Sequence, residues 1–399
     1  MKKLLIITLS LFLFSFSFGQ NSTIKGILID ADTKLPIPYV AIGTIDYSSS
    51  TVTNLDGEFE LSSNKAILNF IVSHLNYETT KLTVSQKGSS TYSLTPKTNL
   101  LDEIIVTTQP INEILLSYIE KSQEKLQKSL ILTTYYREFV KADEDYTKYS
   151  DGILKYYIKN VKKSKADVEV VDARAIELKK VVEKVKETKE VNMDLTSFNK
   201  IQEIFNVADF NFLAKYCKEK EASKYTFEYR TSKKSNGDEY KTIVLNPKEE
   251  LDEYLNKITI VIDAKNEVII DVETEKVNDK YKEINFLGIL IKSKILNYKI
   301  AYHFSENSYY PSYVMKDMML GINANNKKTT INDLFRFTSD VVVTSVTSEF
   351  VAIEKNKKYQ KTSLYERNQA AKSDFWLNNN AVLLTKEQQA ILTQVNSNK

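Results

Sequence analysis

Imidazole and thiol chemistry rest on three side chains in this 399-residue sequence: His74, His303 and Cys217. Two histidines cannot build a His-rich metal cage, and a serine or cysteine nucleophile ordinarily needs one of them as its base. No G-x-S-x-G elbow, glycine-rich phosphate loop, His-Glu-x-x-His or paired C-x-x-C occurs. Cys217 follows Tyr216 and has lysines nearby, whose charge would favour a thiolate, but a lone helix cysteine is read as packing. Asp30, Asp32, Asn54 and Asp56 offer oxygens either to Ca²⁺ or to their own turns, and turn chemistry is the reading adopted. Arg137 and Glu138 are neighbours on a strand, so they point to opposite faces. A charge entering a buried face needs a partner, expected here as an ion pair with a helix. This supply supports neither an enzyme nor a cofactor site, and none is expected.

What the sequence has in quantity is aromatic surface, with 24 Tyr and 18 Phe. Tyr135, Tyr136, Tyr156, Tyr157, Phe227, Tyr229, Tyr302, Tyr309 and Tyr310 fall on expected strands, where they serve either as core or as the lining of an apolar cavity. The candidate surface for a ligand or partner is Tyr135, Tyr136, Arg137, Tyr229, Tyr302 and His303. The expected occupant is an apolar small molecule or lipid, or an envelope protein. Nucleic acid is excluded on charge: 55 basic against 52 acidic residues give +3, and +1 once Lys2 and Lys3 leave with a leader (53 against 52).

That leader is Met1 to Gly19: two lysines, an apolar or hydroxyl run from Leu4 to Phe18, and a small-residue exit, the pattern of a secretory signal peptide. The run is shorter than the roughly 20 residues of a membrane-spanning helix. No cysteine stands at the exit to take a lipid, and no later segment is expected to span a membrane. The most apolar stretch, Ile284 to Ile291, reads as one buried strand.

Residues 20–97 read as short strands between turns: IKGILIDA, PYVAIGTI, TVTNLDGEFELSS, AILNFIVSHLNYETTKLTV and STYSLTP. Their order resembles the carboxypeptidase-like regulatory domain, a transthyretin-like β-sandwich common at the N-termini of secreted and outer-membrane proteins of Bacteroidota. The resemblance rests on Gly26 to Asp30, on Pro38 to Ile42, on the hairpin Thr53 to Phe59, and on Asn76-Tyr77 where the family has Gly-Tyr. Asn tolerates the left-handed conformation, so that departure is mild. No peptidase activity follows from it: His74 is followed at the zinc-ligand spacing by Tyr77, and only His303 remains.

Residues 98–110 form a linker whose LDEIIVT resembles the segment joining this sandwich to the plug of TonB-dependent receptors, without the barrel strands such a receptor needs. Residues 111–365 read as an α+β domain. An amphipathic helix begins after Pro110, with apolar positions 111, 114, 115, 118 and 119. A TYYREF hairpin turning at Ala142-Asp143-Glu144-Asp145 follows, then short helices from Thr196 or Ser197 to Cys217, and seven strands from Lys224. One curved antiparallel sheet with helices on one side would bury these patterns, similar to the half-barrel of periplasmic lipoprotein carriers. Residues 366–399, with Trp376, close the chain as a helical tail. The whole order resembles Bacteroidota proteins known by their N-terminal sandwich alone. The fold expected is therefore mainly β: a sandwich followed by a half-barrel-like sheet with a few helices. The function expected is that of an exported, non-enzymatic envelope protein, periplasmic or outer-membrane-associated, that binds through a curved sheet. The second reading is a structural or adhesive surface protein with the sandwich as spacer.

Overall fold

A computed structural model describes residues 22–46, 49–74, 77–85, 90–96, 103–127, 129–159, 166–177, 199–233, 239–286, 289–305, 308–326, 329–367, 383–386 and 389–390. The leader, Asn76, Thr196, Ser197, the turn Asn236 to Asp238 and Trp376 lie outside these residues.

The N-terminal strands are β1 (Ser22–Asp30), β2 (Ala41–Thr44), β3 (Ser50–Val52), β4 (Glu58–Ser63), β5 (Asn69–His74), β6 (Tyr77–Thr83) and β7 (Ser90–Leu94). They form two sheets, β4-β1-β7 and β3-β2-β5-β6. All pairings are antiparallel except β1 with β7, which is parallel. Alternation on β1 sends Ile24, Gly26 and Leu28 inward to meet Ile42, Phe59, Leu61, Phe70 and Val72 between the sheets. Two motif glycines are demanded by space. A Cβ on Gly26 would lie 2.7 Å from the Ser90 carbonyl oxygen, and Gly57 has φ +73° with the Leu28 carbonyl 2.5 Å from where its Cβ would be. Asp30 and Asn54 close turns. Asp30 Oδ1 accepts the Asp32 and Thr33 amides at 2.8 and 2.7 Å, and Asn54 Oδ1 accepts those of Asp56 and Glu58 at 2.9 Å.

The rest builds one large antiparallel sheet. Its strands are β8 (Glu103–Ile104), β9 (Leu130–Ala142), β10 (Asp145–Ile158), β11 (Ala166–Glu177), β12 (Tyr225–Lys233), β13 (Glu239–Pro247), β14 (Asn256–Asp263), β15 (Val268–Lys276), β16 (Lys282–Phe286), β17 (Ile289–Ser305), β18 (Ser308–Asn326) and β19 (Thr329–Thr347). Their order is β11-β10-β9-β19-β18-β17-β15-β14-β13-β12-β8, with β16 added beside β17. The strand β19 returns to pair with β9, so the TYYREF strand lies inside the sheet. The linker contributes β8, an edge strand on β12. The segment Ile284 to Ile291 is not a single buried strand. It divides between β16 and β17, which pair Ile284 with Ile291, and Lys282, Glu283 and Asn285 are exposed.

One face of this curved sheet carries the helices. The helix α1 (Ile111–Lys125) starts after Pro110 and buries Leu115, Tyr118, Ile119 and Ser122. The Ser122 hydroxyl accepts the Ile269 amide at 2.9 Å, which ties α1 to β15. A 3-10 stretch, Ile201–Asp209, and the helical turn α2 (Asn211–Ala214) pack beside it. Ile204, Phe205, Phe210 and Leu213 meet Leu132, Leu154, Ile258, Ile260, Ile300, Val314 and Val341 from the strands. At roughly 1.5–3 kcal/mol for each large apolar side chain buried, this face holds most of the fold's cohesion.

The sandwich covers part of the other face. Val52 of β3 packs against Tyr135, Ile153, Tyr313 and Val342, and Ser50 Oγ donates to the Val343 carbonyl at 3.0 Å.

Candidate functional site

Strand alternation on β9 divides the expected site between the two faces. Tyr136 and Glu138 point to the helix side, where the Tyr136 hydroxyl donates to Glu138 Oε2 at 2.6 Å. Both are buried. Burial pushes the Glu138 carboxyl up to about 7, against the opposing pull of Tyr136, Asn199, Lys316 and Lys148. Tyr229 and Tyr302 are buried on the same side. Tyr229 shares a 3.0 Å hydroxyl contact with Tyr118, and Lys241 Nζ donates to Tyr118 at 3.1 Å. Tyr302 lies 4.8 Å from the Phe210 ring, stacked on it, and donates to the Ala208 carbonyl at 3.1 Å. These three tyrosines are therefore core.

Tyr135 and Arg137 point to the sandwich side and enter a charge network. Arg137 Nη2 donates to Asp340 Oδ2 at 3.0 Å, and the Tyr313 hydroxyl donates to Asp340 Oδ1 at 2.7 Å. Asp151 accepts the Tyr135 hydroxyl at 2.9 Å, Arg174 Nε at 2.7 Å and Arg174 Nη2 at 2.8 Å, together with the Tyr149 hydroxyl. Burial alone would push the Arg137 guanidinium down, but Asp340 beside it holds it above its ordinary value. Two guanidiniums face two carboxylates, so the network neutralises itself. The partner of Arg137 is a carboxylate on the neighbouring strand β19 and not a helix residue, because the helices occupy the opposite face.

A cleft of about 340 Å³ opens between the sandwich and the same side of the large sheet. Ile42 and Ile71 line it from the sandwich, Ile270 and Val342 from the sheet, and Lys299, Asp271 and Tyr310 add polar groups. Tyr302 and His303 both reach its wall, whereas Tyr135, Tyr136, Arg137 and Tyr229 do not. The His303 ring is 5.0 Å from that of Tyr310, and burial lowers its pKa, favouring the neutral imidazole. His74, expected only as the end of a sandwich strand, ends β5 and also lines the cleft. The two histidines, 229 positions apart, thus share one wall system. The alternation of Lys299, Ala301 and His303 against Tyr298, Ile300 and Tyr302 marks two faces of β17 in the sequence. Which element covers the first of them is not encoded in that rhythm.

Cys217 is half-buried, and burial, with Glu120 next, pushes its thiol up to about 11. It is held protonated, so the lysines around it do not activate it. Among the described residues no group of three or more His, Cys, Asp or Glu side chains could hold a metal ion, and no helix is long and apolar enough to cross a membrane.

The sandwich geometry finds its counterpart in a known family. Residues 24–106 match the CarboxypepD_reg-like domain. The match runs beyond β7 to take in β8, so the edge strand on β12 belongs to the matched stretch of the CarboxypepD_reg-like domain. No curated protein matches the chain. Among solved structures, a lipovitellin described for its lipid–protein interactions overlaps 62% of this chain at 10% identity with a TM-score of 0.26. This chain spans 27% of that lipovitellin chain. A LolA superfamily protein from Nitrosomonas europaea overlaps 59% of this chain and 97% of its own at 11% identity and TM-score 0.18. MucB, solved in complex with MucA, overlaps 58% and 98% at 5% identity and TM-score 0.18. Overlaps this loose leave the function of the part beyond the CarboxypepD_reg-like domain to be read from its own geometry.

Proposed function

We propose that this is a non-enzymatic protein of the cell envelope, exported by a removable leader, that holds a small apolar or amphipathic molecule between its sandwich and its large sheet. The observation that carries this reading is the placement of space. The helix side of the sheet is packed with Leu115, Ile119, Phe205 and Phe210, while the cleft of about 340 Å³ lies on the sandwich side. That volume is within the usual range for small-ligand pockets, roughly 300–1,000 Å³. Its apolar walls would desolvate a hydrocarbon or ring, and Lys299, Asp271 and Tyr310 would orient a polar end. Three features support the absence of catalysis: the neutral His303, the protonated Cys217 and the self-neutralised charges around Arg137.

Native mass spectrometry of the mature protein, purified gently from its own envelope, tests this. A stoichiometric adduct of apolar character is expected, and it is expected to be lost in Ile71→Trp, which fills the cleft from the sandwich wall. An adduct that survives Ile71→Trp, or a wild-type protein that carries none and takes up none from envelope lipid extract, would overturn the reading.

A second reading, docking of a protein partner, has its own observation. The edge strand β8 is two residues long and leaves Ile104 67% and Val106 94% exposed. Apolar side chains along a sheet edge suit pairing with an added strand. Crosslinking at Val106 in the intact envelope would separate this reading from the first.

A further inference from the structure

The segment Leu383–Lys386 lies across the junction of the two modules, and it is held there by groups from both. From the large sheet, Arg137 Nη1 donates to the Leu383 carbonyl at 3.0 Å. From the sandwich, Asn54 Nδ2 donates to the Leu384 carbonyl at 3.1 Å, and Asp56 Oδ2 accepts the Lys386 amide at 2.9 Å. The Leu384 side chain packs against Phe139 and Tyr149 of the sheet. The Gln389 amide donates to the Thr385 carbonyl at 2.8 Å.

These contacts are of the type that recognises a peptide. Three of them address backbone groups, two carbonyls and one N–H, so they read an extended segment irrespective of most of its side chains. Leu384 is the apolar side chain that packs on Phe139 and Tyr149, and Thr385 beside it is buried. The two donors are also held by bonds outside the segment. Asn54 Oδ1 accepts the Asp56 and Glu58 amides of its own hairpin turn, and Arg137 donates to Asp340. A preorganised site loses little entropy on binding.

We infer that the junction of the hairpin turn Asn54–Glu58 with β9 and β10 is a binding site for an extended peptide with a leucine anchor, filled in this chain by its own C-terminal segment. Because the site takes groups from both modules, its occupant also clasps the sandwich to the sheet. Nothing in the inference depends on what the neighbouring cleft holds.

The test uses the full-length chain carrying Leu384→Asp, which places a charge where Phe139 and Tyr149 receive an apolar group and so releases the tail. A synthetic peptide of residues 380–391 is then titrated in trans, alongside the same peptide with Leu384→Asp. The wild-type peptide is expected to bind the variant protein at least tenfold more tightly than the substituted peptide. It is expected not to bind the wild-type protein, whose own tail fills the site. Hydrogen exchange supplies a readout that does not depend on the variant's folding. In the wild-type chain the Lys386 amide is expected to be protected, and Asp56→Ala is expected to raise its exchange at least tenfold. Equal binding of the two peptides, or a Lys386 amide as fast as an unprotected tail residue in the wild-type protein, would overturn the inference.

Discussion

On its helix side the large sheet buries Leu132, Leu154, Ile258, Ile260 and Val314 against α1 and the 3-10 stretch, whereas on its sandwich side it buries Arg137 and Asp151, partly buries Asp340, and holds three tyrosine hydroxyls against the two carboxylates. Apolar burial is non-directional and tolerates sliding, so the first face can be filled by any helix with the right stripe. Charge-assisted hydrogen bonds are directional, so the second face fixes the relative placement of the strands it joins. The contrast teaches why space for a ligand falls where it does. The apolar face closes on itself, while the polar face is covered by a separate sandwich that meets it through a small apolar patch around Val52 and leaves a cleft beside it.

The largest effect expected is at Arg137. Arg137→Leu leaves the partly buried Asp340 without its guanidinium and removes the donor to Leu383, and costs about 3 kcal/mol. Urea denaturation should show it, and Arg137→Leu with Asp340→Asn should recover part of the loss. If the single substitution is neutral, the polar face is not what holds these strands together.

Glu138 sharpens the comparison from the helix side, where a buried carboxyl is opposed to apolar surroundings. Its ordinary value of 4.5 is raised to about 7 by burial. The folded protein therefore binds more protons than the unfolded chain between these values. The associated stability is fully present below about 4.5, declines as pH rises through about 7, and amounts to on the order of 3 kcal/mol. Glu138→Gln can still accept from Tyr136 and is expected to flatten this dependence. The check is stability of both proteins from pH 5 to pH 8, and parallel curves would show that Glu138 is ionised throughout.

Much of this division was legible in the sequence, and the limits have physical causes. The apolar spacing of Ile111 to Ile119 specified α1, and the hairpin around Ala142 to Asp145 specified β9 and β10, because both are local patterns. The opposite orientation of Arg137 and Glu138 followed from strand alternation alone. Their partners did not, since Asp340 lies 203 positions from Arg137 and reaches it only through the return of β19 to β9. The same non-local pairing left the aromatic residues open between core and cavity wall in the sequence. The arrival of Tyr118, Phe210 and Ala208 buries Tyr229 and Tyr302 on the helix side, while Tyr302 also reaches the cleft wall. Ile284 to Ile291 was read as one strand because its apolar run conceals the hairpin between β16 and β17.

The smallest effect is a matched pair in which the same atom is removed from each face. Tyr313→Phe deletes a hydroxyl that donates to the Asp340 side chain, the ion-pair partner of Arg137, at 2.7 Å, and Tyr302→Phe deletes one that donates to the Ala208 carbonyl at 3.1 Å. Hydrogen bonds to charged groups contribute about 1.5–3 kcal/mol, and neutral ones about 0.5–1.5 kcal/mol. Neither change disturbs packing, since the Tyr302 ring remains stacked on Phe210 and the Tyr313 ring remains against Val52 and Val342. Tyr313→Phe should therefore lower stability more than Tyr302→Phe by roughly 1 kcal/mol. Thermal or urea unfolding measures the difference directly. A reversed order would mean that Arg137 alone satisfies Asp340, and that the polar face owes its rigidity to the ion pair and not to the hydroxyls around it.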